Sequence, residues 1–578
     1  MPVQLMSICL VLASLPAVTS PAVEPSDPPN VVLIMTDDQG YGDLSCHGNP
    51  VLQTPNLDAL AHESARLGTF YVQPVCAPTR AALMTGLVPQ RTTAIDTWIA
   101  RAMLESEEVT IAERLKSLGY ATGIFGKWHL GDCHPMRPID QGFDTAVVHL
   151  GGGIGQPSDP EGGERKYTDP VLVRNGVPES FKGYCTDIYF DEAMDWIGKQ
   201  DGPFLCMLTT NAPHGPYHDV PPGLLAKYTD IDLDPVGADN DDRMARVFAM
   251  IENIDRNVGR FMAKLNDLGI DENTLVVFMH DNGPQWNRYN CGFRDIKGSV
   301  YDGGIRSPFF ARWPARIPAG DRPAAVGQHV DVMPTILEAV GAGPAEGLDG
   351  RSLMGVLKGE EDGNFDRAVV VQSHRGDVPV KWHNAMIRRG EWKLVNASGF
   401  GKELEKAPLQ LELFNLRDDP GERNNLAEEH PEVVARLAAE YEAWFEEVGA
   451  NDPGNYVPPA ISIGAIDGPV VLTRQDWRRR SSGSGWGARA EGAWRVDVRQ
   501  DGPYRVRVRF LPGQAAPDSV RLLVDGEERA AVEVGDANDA VFDAVRLPVG
   551  IGWLEAPMTD EKGTCGAYQV IVERVETP

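Results

Sequence analysis

Two acidic pairs stand where they could hold a cation. Asp37 and Asp38 follow the apolar run NVVLIM (30–35), and Asp281 and Asn282 follow TLVVFM (274–279). Carboxylate and amide oxygens brought together from two strand ends are the hard ligands that Ca²⁺ or Mg²⁺ takes. One such pair alone reads as a cap or a turn; two, each with a glycine close behind, point to a metal site. In PVCAPTRAALM (74–84), Cys76 precedes Pro78 and Arg80 at what reads as the opening of a helix. Proline is tolerated in a first turn, and the free N–H groups there favour negative charge. Arg80, four residues on, shares a helix face with Cys76. The competing reading is an inert packed thiol. Lys127, His129, His214 and Lys297 complete the set. Each alone would pass for a solvated residue or a satisfied histidine. Four of them, at the ends of apolar runs in an acidic protein, point to an anion pocket.

The elements that must position these residues are short and apolar. NVVLIM ends at TDDQG, ATGIF (121–125) at GKWHLG, PFLCMLTT (203–210) at NAPHGPY, and TLVVFM at HDNG. Runs this continuous suit strands buried on both faces of a parallel sheet. Helical stretches such as TIAERLKSLGY (110–120) and 246–269 lie between them, and the alternation predicts an α/β sandwich. Active sites of such sheets gather beyond the carboxyl ends of the strands, where these clusters fall. A second region, 371–450, carries hairpin material at 384–395 and an amphipathic helix at 432–449. The Pro/Gly-rich stretch 451–469 reads as a linker. Beyond it, 470–578 reads as a β-sandwich. There Val496 and Val498, then Tyr504, Val506, Val508 and Phe510, alternate with polar residues across QDGP as a hairpin would, and SVRLLVDGEERAAVEV repeats the pattern.

The 578 residues suffice for several domains, and 42% hydrophobic with 24% charged residues is ordinary globular composition. A net charge of −29 excludes nucleic acid as a partner. Residues 1–22 read as a signal peptide: one apolar stretch ending in small residues, too short to span, with no Lys or Arg before it. Export to a periplasmic or extracellular space is the expectation, with no membrane span. Eight cysteines show no metal spacing and no disulfide framework, though one or two bridges fit an exported chain.

These motifs resemble the type I, cysteine-type sulfatases of the alkaline phosphatase superfamily. The signature C-x-P-x-R is present as Cys76-Ala-Pro78-Thr-Arg80, continued by AALMTG, and YATGIFGKWHLG matches the second signature. DDQGYGDLSCHGNP…TPNLDALA, HDNG, KGSVYDGGIRSP and LFNLRDDPGERNNLA also fit, so the resemblance spans residues 29 to 450 and stops short of 470–578. It implies an alkaline-phosphatase-like α/β/α sandwich over 29–370, a small C-terminal α+β subdomain over 371–450, and a separate β-sandwich module.

It also implies that a maturation enzyme oxidises Cys76 to Cα-formylglycine, hydrated to a gem-diol. A thiolate attacking sulfur would leave a stable adduct, whereas a sulfated diol collapses by expelling sulfate. Carried over by position, Asp37, Asp38, Asp281 and Asn282 would hold Ca²⁺, with Mg²⁺ the other candidate, together with the side chain at Cys76. Asp281 would help deprotonate the attacking hydroxyl. Arg80 and Lys127 would steady the diol and the sulfate. His214 and Lys297 would grip the sulfate, with His214 as proton donor to the leaving alcohol, and His129 would accept a proton from the second hydroxyl.

Selectivity is expected from loops 151–185 and 214–245. Trp98, Trp286 and Tyr289 are candidate sugar platforms, each weighed against simple packing. The terminal module, with Trp477, Trp486, Trp494 and Trp553, resembles in style the modules appended to glycan-degrading enzymes; the alternative is a packing domain over the catalytic unit. The expected substrate is therefore a sulfated carbohydrate. Competing readings are a phosphodiesterase or phosphonate monoester hydrolase of the same superfamily, a non-catalytic sulfated-glycan-binding protein, and a cysteine hydrolase that leaves four oxygen ligands unexplained.

Overall fold

A computed structural model describes residues 27–363, 366–401, 409–480, 485–535 and 537–575. The signal-peptide reading of residues 1–22 lies outside the described residues. Ten strands form the central sheet: β1 (Asn30–Thr36), β2 (Ala65–Tyr71), β3 (Ala121–Lys127), β4 (Thr145–His149), β5 (Val171–Arg174), β6 (Val177–Ser180), β7 (Phe204–Thr209), β8 (Thr274–His280), β9 (Phe309–Arg312) and β10 (Gly320–Gln328). Their order is β10-β2-β9-β8-β1-β7-β3-β4-β5-β6. The middle of the sheet, β8-β1-β7-β3-β4, is parallel, while β9, β5 and β6 run antiparallel to their neighbours.

The apolar runs are continuous because both faces of the sheet are covered. Val31, Leu33 and Met35 pack on one side with residues of α2 (Cys76–Thr85) and α3 (Ile111–Ser117). Val32 and Ile34 pack on the other with α1 (Pro55–His62), α4 (Cys185–Ile197) and α6 (Asp241–Asp267). Helix α6 starts five residues before the apolar pattern does, because the Asn240 side chain accepts the Arg243 N–H and caps it. Helix α3 opens on a reciprocal capping box between Thr110 and Glu113.

Four antiparallel strands and the helix Pro431–Glu447 follow, with Ala385–Arg389 and Trp392–Asn396 forming the expected hairpin. Within the stretch read as a linker, Ile461–Ile463 is a buried strand paired parallel with Gly492–Val498. The terminal residues form two facing sheets. One hairpin expectation fails: Gly492–Val498 and Pro503–Arg509 belong to different sheets, so the QDGP turn crosses the sandwich. Alternation reports which face is buried, not which strand is the partner. Ser519–Val524 and Glu527–Glu533 do pair as a hairpin.

Trp477 and Trp494 lie in the core of this module, and Trp486 and Trp553 are half-buried, so none of the four is an open platform. All seven described cysteines are free, which removes the disulfides allowed for an exported chain among them. No described helix is long and apolar enough to cross a membrane.

Candidate active site

Strand register assembles the site. Thr36 at the end of β1 pairs with His280 at the end of β8, so Asp37 and Asp281 emerge side by side. Asp38 adopts a left-handed φ of 59°, a conformation Asp tolerates, and the two adjacent carboxylates serve different partners. Asp37 Oδ2 meets Lys127 Nζ at 2.6 Å, both residues fully buried. Asp38 Oδ1 accepts from Asn282 Nδ2 at 2.8 Å and from Lys297 Nζ, while its Oδ2 lies 3.8 Å from His214 Nε2. Gly283 lets this turn pack closely, since a Cβ there would sit 2.1 Å from the Gly303 carbonyl oxygen.

Cys76 is the first residue of α2, with Val75 extended at the cap, and the whole helix is buried. Arg80 projects from its second turn and donates to Asp281 Oδ2 at 2.8 and 3.2 Å and to the Lys127 carbonyl at 2.9 Å. Thr79 ties the same helix to the Asp281 carbonyl at 2.7 Å. Lys297 reaches in from a loop pinned by Lys297 N–H to Pro284 O and Gly298 N–H to Pro74 O.

The charges nearly cancel: three carboxylates face Arg80, Lys127 and Lys297. Burial, then the charge of Asp37, pushes Asp281 up to about 6. Burial would raise Asp38 too, but Lys297 and then His214 outweigh it and hold it below the usual carboxylate range. Burial takes His214 down to about 4 against the pull of Asp38. Burial and then Lys127 hold His129 well below an ordinary imidazole. Burial raises the Cys76 thiol.

Three side-chain oxygens here are buried without a hydrogen-bond partner: Asp37 Oδ1, Asp38 Oδ2 and Asn282 Oδ1. Ligand atoms of Asp37, Cys76 and Asp281 lie within 4.8 Å of one another. Orphaned oxygens in a dry site are costly, and a hard divalent cation would satisfy them. The donor set fits Ca²⁺ or Mg²⁺ with one discord: a thiol is a soft atom in a ring of oxygens.

His129 Nε2 lies 2.7 Å from the Thr97 carbonyl. A carbonyl only accepts, so Nε2 carries the hydrogen and the buried, unpartnered Nδ1 carries the lone pair. His214 Nδ1 likewise faces the Gly215 carbonyl at 2.8 Å, leaving Nε2 toward Asp38. Loop 151–167 comes close to both rings: a Cβ on Gly152 would lie 2.7 Å from His129 Nε2, and one on Gly153 2.6 Å from His214 Cε1.

The ten residues singled out from sequence thus fall in one cluster, buried except for His214 and Lys297, which are partly exposed. The aromatic candidates are engaged elsewhere. Trp98 lies edge-on to Trp486 and under Arg375, Trp286 donates to Tyr217 and stacks under Arg243, and Tyr289 Oη bonds the His47 carbonyl. Thr97, Gly152, Gly153 and the buried Arg288–Asp43 pair, whose Arg288 also donates to the Asp38 carbonyl, carried no local sequence signal.

Residues 29–342 match the family model described as Sulfatase. Residues 291–447 match the model described as N-sulphoglucosamine sulphohydrolase, C-terminal. The chain is 34% identical over 465 residues to arylsulfatase A of Homo sapiens, covering 71% of this chain and 86% of that one. It is 30% identical over 464 residues to N-acetylgalactosamine-6-sulfatase of Canis lupus familiaris, covering 71% and 84%. The crystal structure of Ps i-CgsB in complex with k-i-k-neocarrahexaose superposes with a TM-score of 0.65 at 28% identity, covering 75% of this chain and 95% of that chain.

Proposed function

Because the chain belongs to the sulfatase family and is a sulfuric ester hydrolase, we propose that it removes sulfate from a sulfated carbohydrate, using an oxidised Cys76 and a divalent cation. The observation that carries this reading is the trio of buried, unpartnered oxygens on Asp37, Asp38 and Asn282 around a thiol at a helix N-terminus. Conversion of that thiol to a hydrated aldehyde would replace the one soft atom with oxygen and make the donor set uniformly hard. The sugar reading is supported by relatives named N-acetylgalactosamine-6-sulfatase and by a structural neighbour solved with a neocarrahexaose.

Asp37, Asp38, Asp281 and Asn282 would hold the cation, Ca²⁺ first and Mg²⁺ second. Bound there, it would supply positive charge to a nucleophilic oxygen and to a sulfate oxygen. The aldehyde hydrate at position 76 would supply a hydroxyl nucleophile and, afterwards, an exit that regenerates the carbonyl. Arg80 and Lys127 orient what lies at the mouth of α2 while anchoring Asp281 and Asp37. Lys297 presents a half-buried ammonium to the sulfate. His214 is neutral in the resting site; an anionic ester beside its ring raises its proton affinity, so it takes up a proton with the substrate and delivers it from Nε2 to the leaving alcohol. His129 Nδ1 is the proton acceptor when sulfate leaves.

We divide the chain into a catalytic domain over 29–370, its subdomain over 371–450 and a terminal module, and place the protein outside the cytoplasm, as residues 1–22 suggest. A maturation enzyme acting on Cys76 is the partner this requires. Mass spectrometry of the tryptic peptide Leu67–Arg80, from protein made with such an enzyme, tests the proposal. Formylglycine at position 76 together with release of sulfate from a sulfated sugar is the expected result. An intact thiol in every preparation, with no ester hydrolysed, would overturn it.

A further inference from the structure

The terminal module lies outside both family matches, yet it touches the site at two places. The first is Gln475. Its Nε2 donates to the Thr97 carbonyl at 3.0 Å, the same oxygen that receives His129 Nε2 at 2.7 Å. Its own carbonyl accepts the Ala100 N–H at 2.7 Å. Gln475 is almost fully buried. The segment it grips is strained: Ile99 and Ala100 are consecutive left-handed residues, with φ of 47° and 58°. Such conformations persist only where surroundings hold them. Here the surroundings are the terminal module, because Ile99, Ala100 and Met103 share a core with Trp477 and Trp494, and Gly485 leaves room for the Ile99 side chain.

The second place is loop 151–167, whose glycines face the two histidines. Gln569, on the strand Gln569–Arg574, donates to the Pro157 carbonyl at 3.2 Å and the Asp159 carbonyl at 3.3 Å. Arg507 pairs with Glu161 at 2.8 Å and Arg509 with Glu164 at 3.3 Å. All four anchors lie within 157–164, just after Gly152 and Gly153.

We propose that the terminal module is a working part of the active centre. Gln475 is a positioning residue that fixes the His129 ring through the Thr97 carbonyl, and Gln569, Arg507 and Arg509 hold the loop that walls His129 and His214. The first claim rests on the reading of His129 as proton acceptor. A second acceptor bond at Thr97 keeps that carbonyl oriented, so the ring is held with Nε2–H outward and the Nδ1 lone pair toward the site.

The test uses full-length protein and Gln475→Met, which keeps volume and removes the donor. Nitrogen-15 NMR of the imidazole, on protein retaining the Cys76 thiol, reads the tautomer without turnover. The expected result is a mixed or exchange-broadened His129 signal in the variant against a single Nε2–H form in the parent. On matured enzyme, kcat for a small aryl sulfate falls about tenfold with KM little changed, since the lost bond acts only through a ring. In a His129→Ala background the same substitution costs nothing further. Gln569→Ala provides an independent arm: faster hydrogen exchange across 151–167. An unchanged tautomer, or an equal loss of kcat with and without His129, would overturn the Gln475 claim; unchanged exchange in the loop would overturn the second. If no sulfate ester is turned over at all, the NMR result still decides the positioning claim, so its failure stays separate from that of the proposed reaction.

Discussion

Gly153→Ala probes the least visible wall of the site. Gly153 does not occupy the left-handed region, so alanine fits its backbone, but the added Cβ would lie 2.6 Å from His214 Cε1 and 2.7 Å from Nδ1. Ordinary contact begins near 3.4 Å, so loop and ring must part by about 0.8 Å or more. The ring has little freedom, because Nδ1 is bonded to the Gly215 carbonyl and Tyr167 Oη holds the His214 carbonyl at 2.7 Å. Misplacement of a catalytic group by about 1 Å costs on the order of 10²-fold, or about 2.7 kcal/mol of barrier. Stability should fall only modestly, since the gain of about 0.4–1 kcal/mol from the unfolded chain offsets part of the roughly 1–3 kcal/mol that overpacking costs. The assay is kcat on two esters of one enzyme preparation, a sugar sulfate and an aryl sulfate, beside a melting curve. If His214 protonates the leaving alcohol, the poorer sugar leaving group suffers the larger loss. A kcat within about threefold of the parent on both esters, well short of one decade, would show that the loop does not set the ring.

Lys127→Met leaves Asp37 buried and unpaired, and removing one partner of such a pair costs about 3–5 kcal/mol; the urea midpoint should drop and recover partly when Ca²⁺ is added, whereas a midpoint blind to Ca²⁺ would count against Asp37 as a ligand. Chelation should lower the melting temperature of the parent protein, because a cation held at a hundred times its Kd adds about 2.7 kcal/mol; identical curves with and without chelator would remove the metal. At the seam between modules, Asp476 Oδ2 accepts the Asp132 N–H at 2.8 Å, and Thr473 bonds Asp132 Oδ2. Burial holds both carboxyls above their ordinary range, with the charge of Asp132 adding to the rise at Asp476. Their contribution to docking is therefore whole below the unfolded carboxyl value of about 3.9 and fades as pH rises toward the raised folded values. Asp476→Asn should flatten that dependence, read as melting of the module across pH; an unchanged slope would place the titration elsewhere.

What was legible in the sequence shares one cause. Strands buried on both faces have no polar positions, so β1, β3, β7 and β8 stand out as unbroken apolar runs, and the polar residues just past them fall together because parallel strands end on one side. The flanks of the sheet were less legible, since β5 and β6 at one edge and β9, inserted between β2 and β8, are short and antiparallel. Alternation in 494–510 identified two strands and their buried faces but not that they lie in opposite sheets. Gln475, Gln569 and the Gly152–Gly153 wall had no local pattern to betray them. Gln475 and Gln569 act through contacts 378 and 412 residues away, and the two glycines through rings on other strand ends, which no spacing rule reaches.

The bond from Gln569 to the Pro157 carbonyl spans 412 residues. At roughly 5–20 residues per second on the ribosome, about 20–80 s separate the emergence of loop 151–167 from the arrival of its anchor. Cys76, sealed at the root of a buried helix in the finished fold, appears earlier still. The late anchor therefore works as a clock. If Cys76 is matured as proposed, an enzyme that reaches the thiol before the chain is finished meets it while loop 151–167 still lacks that anchor.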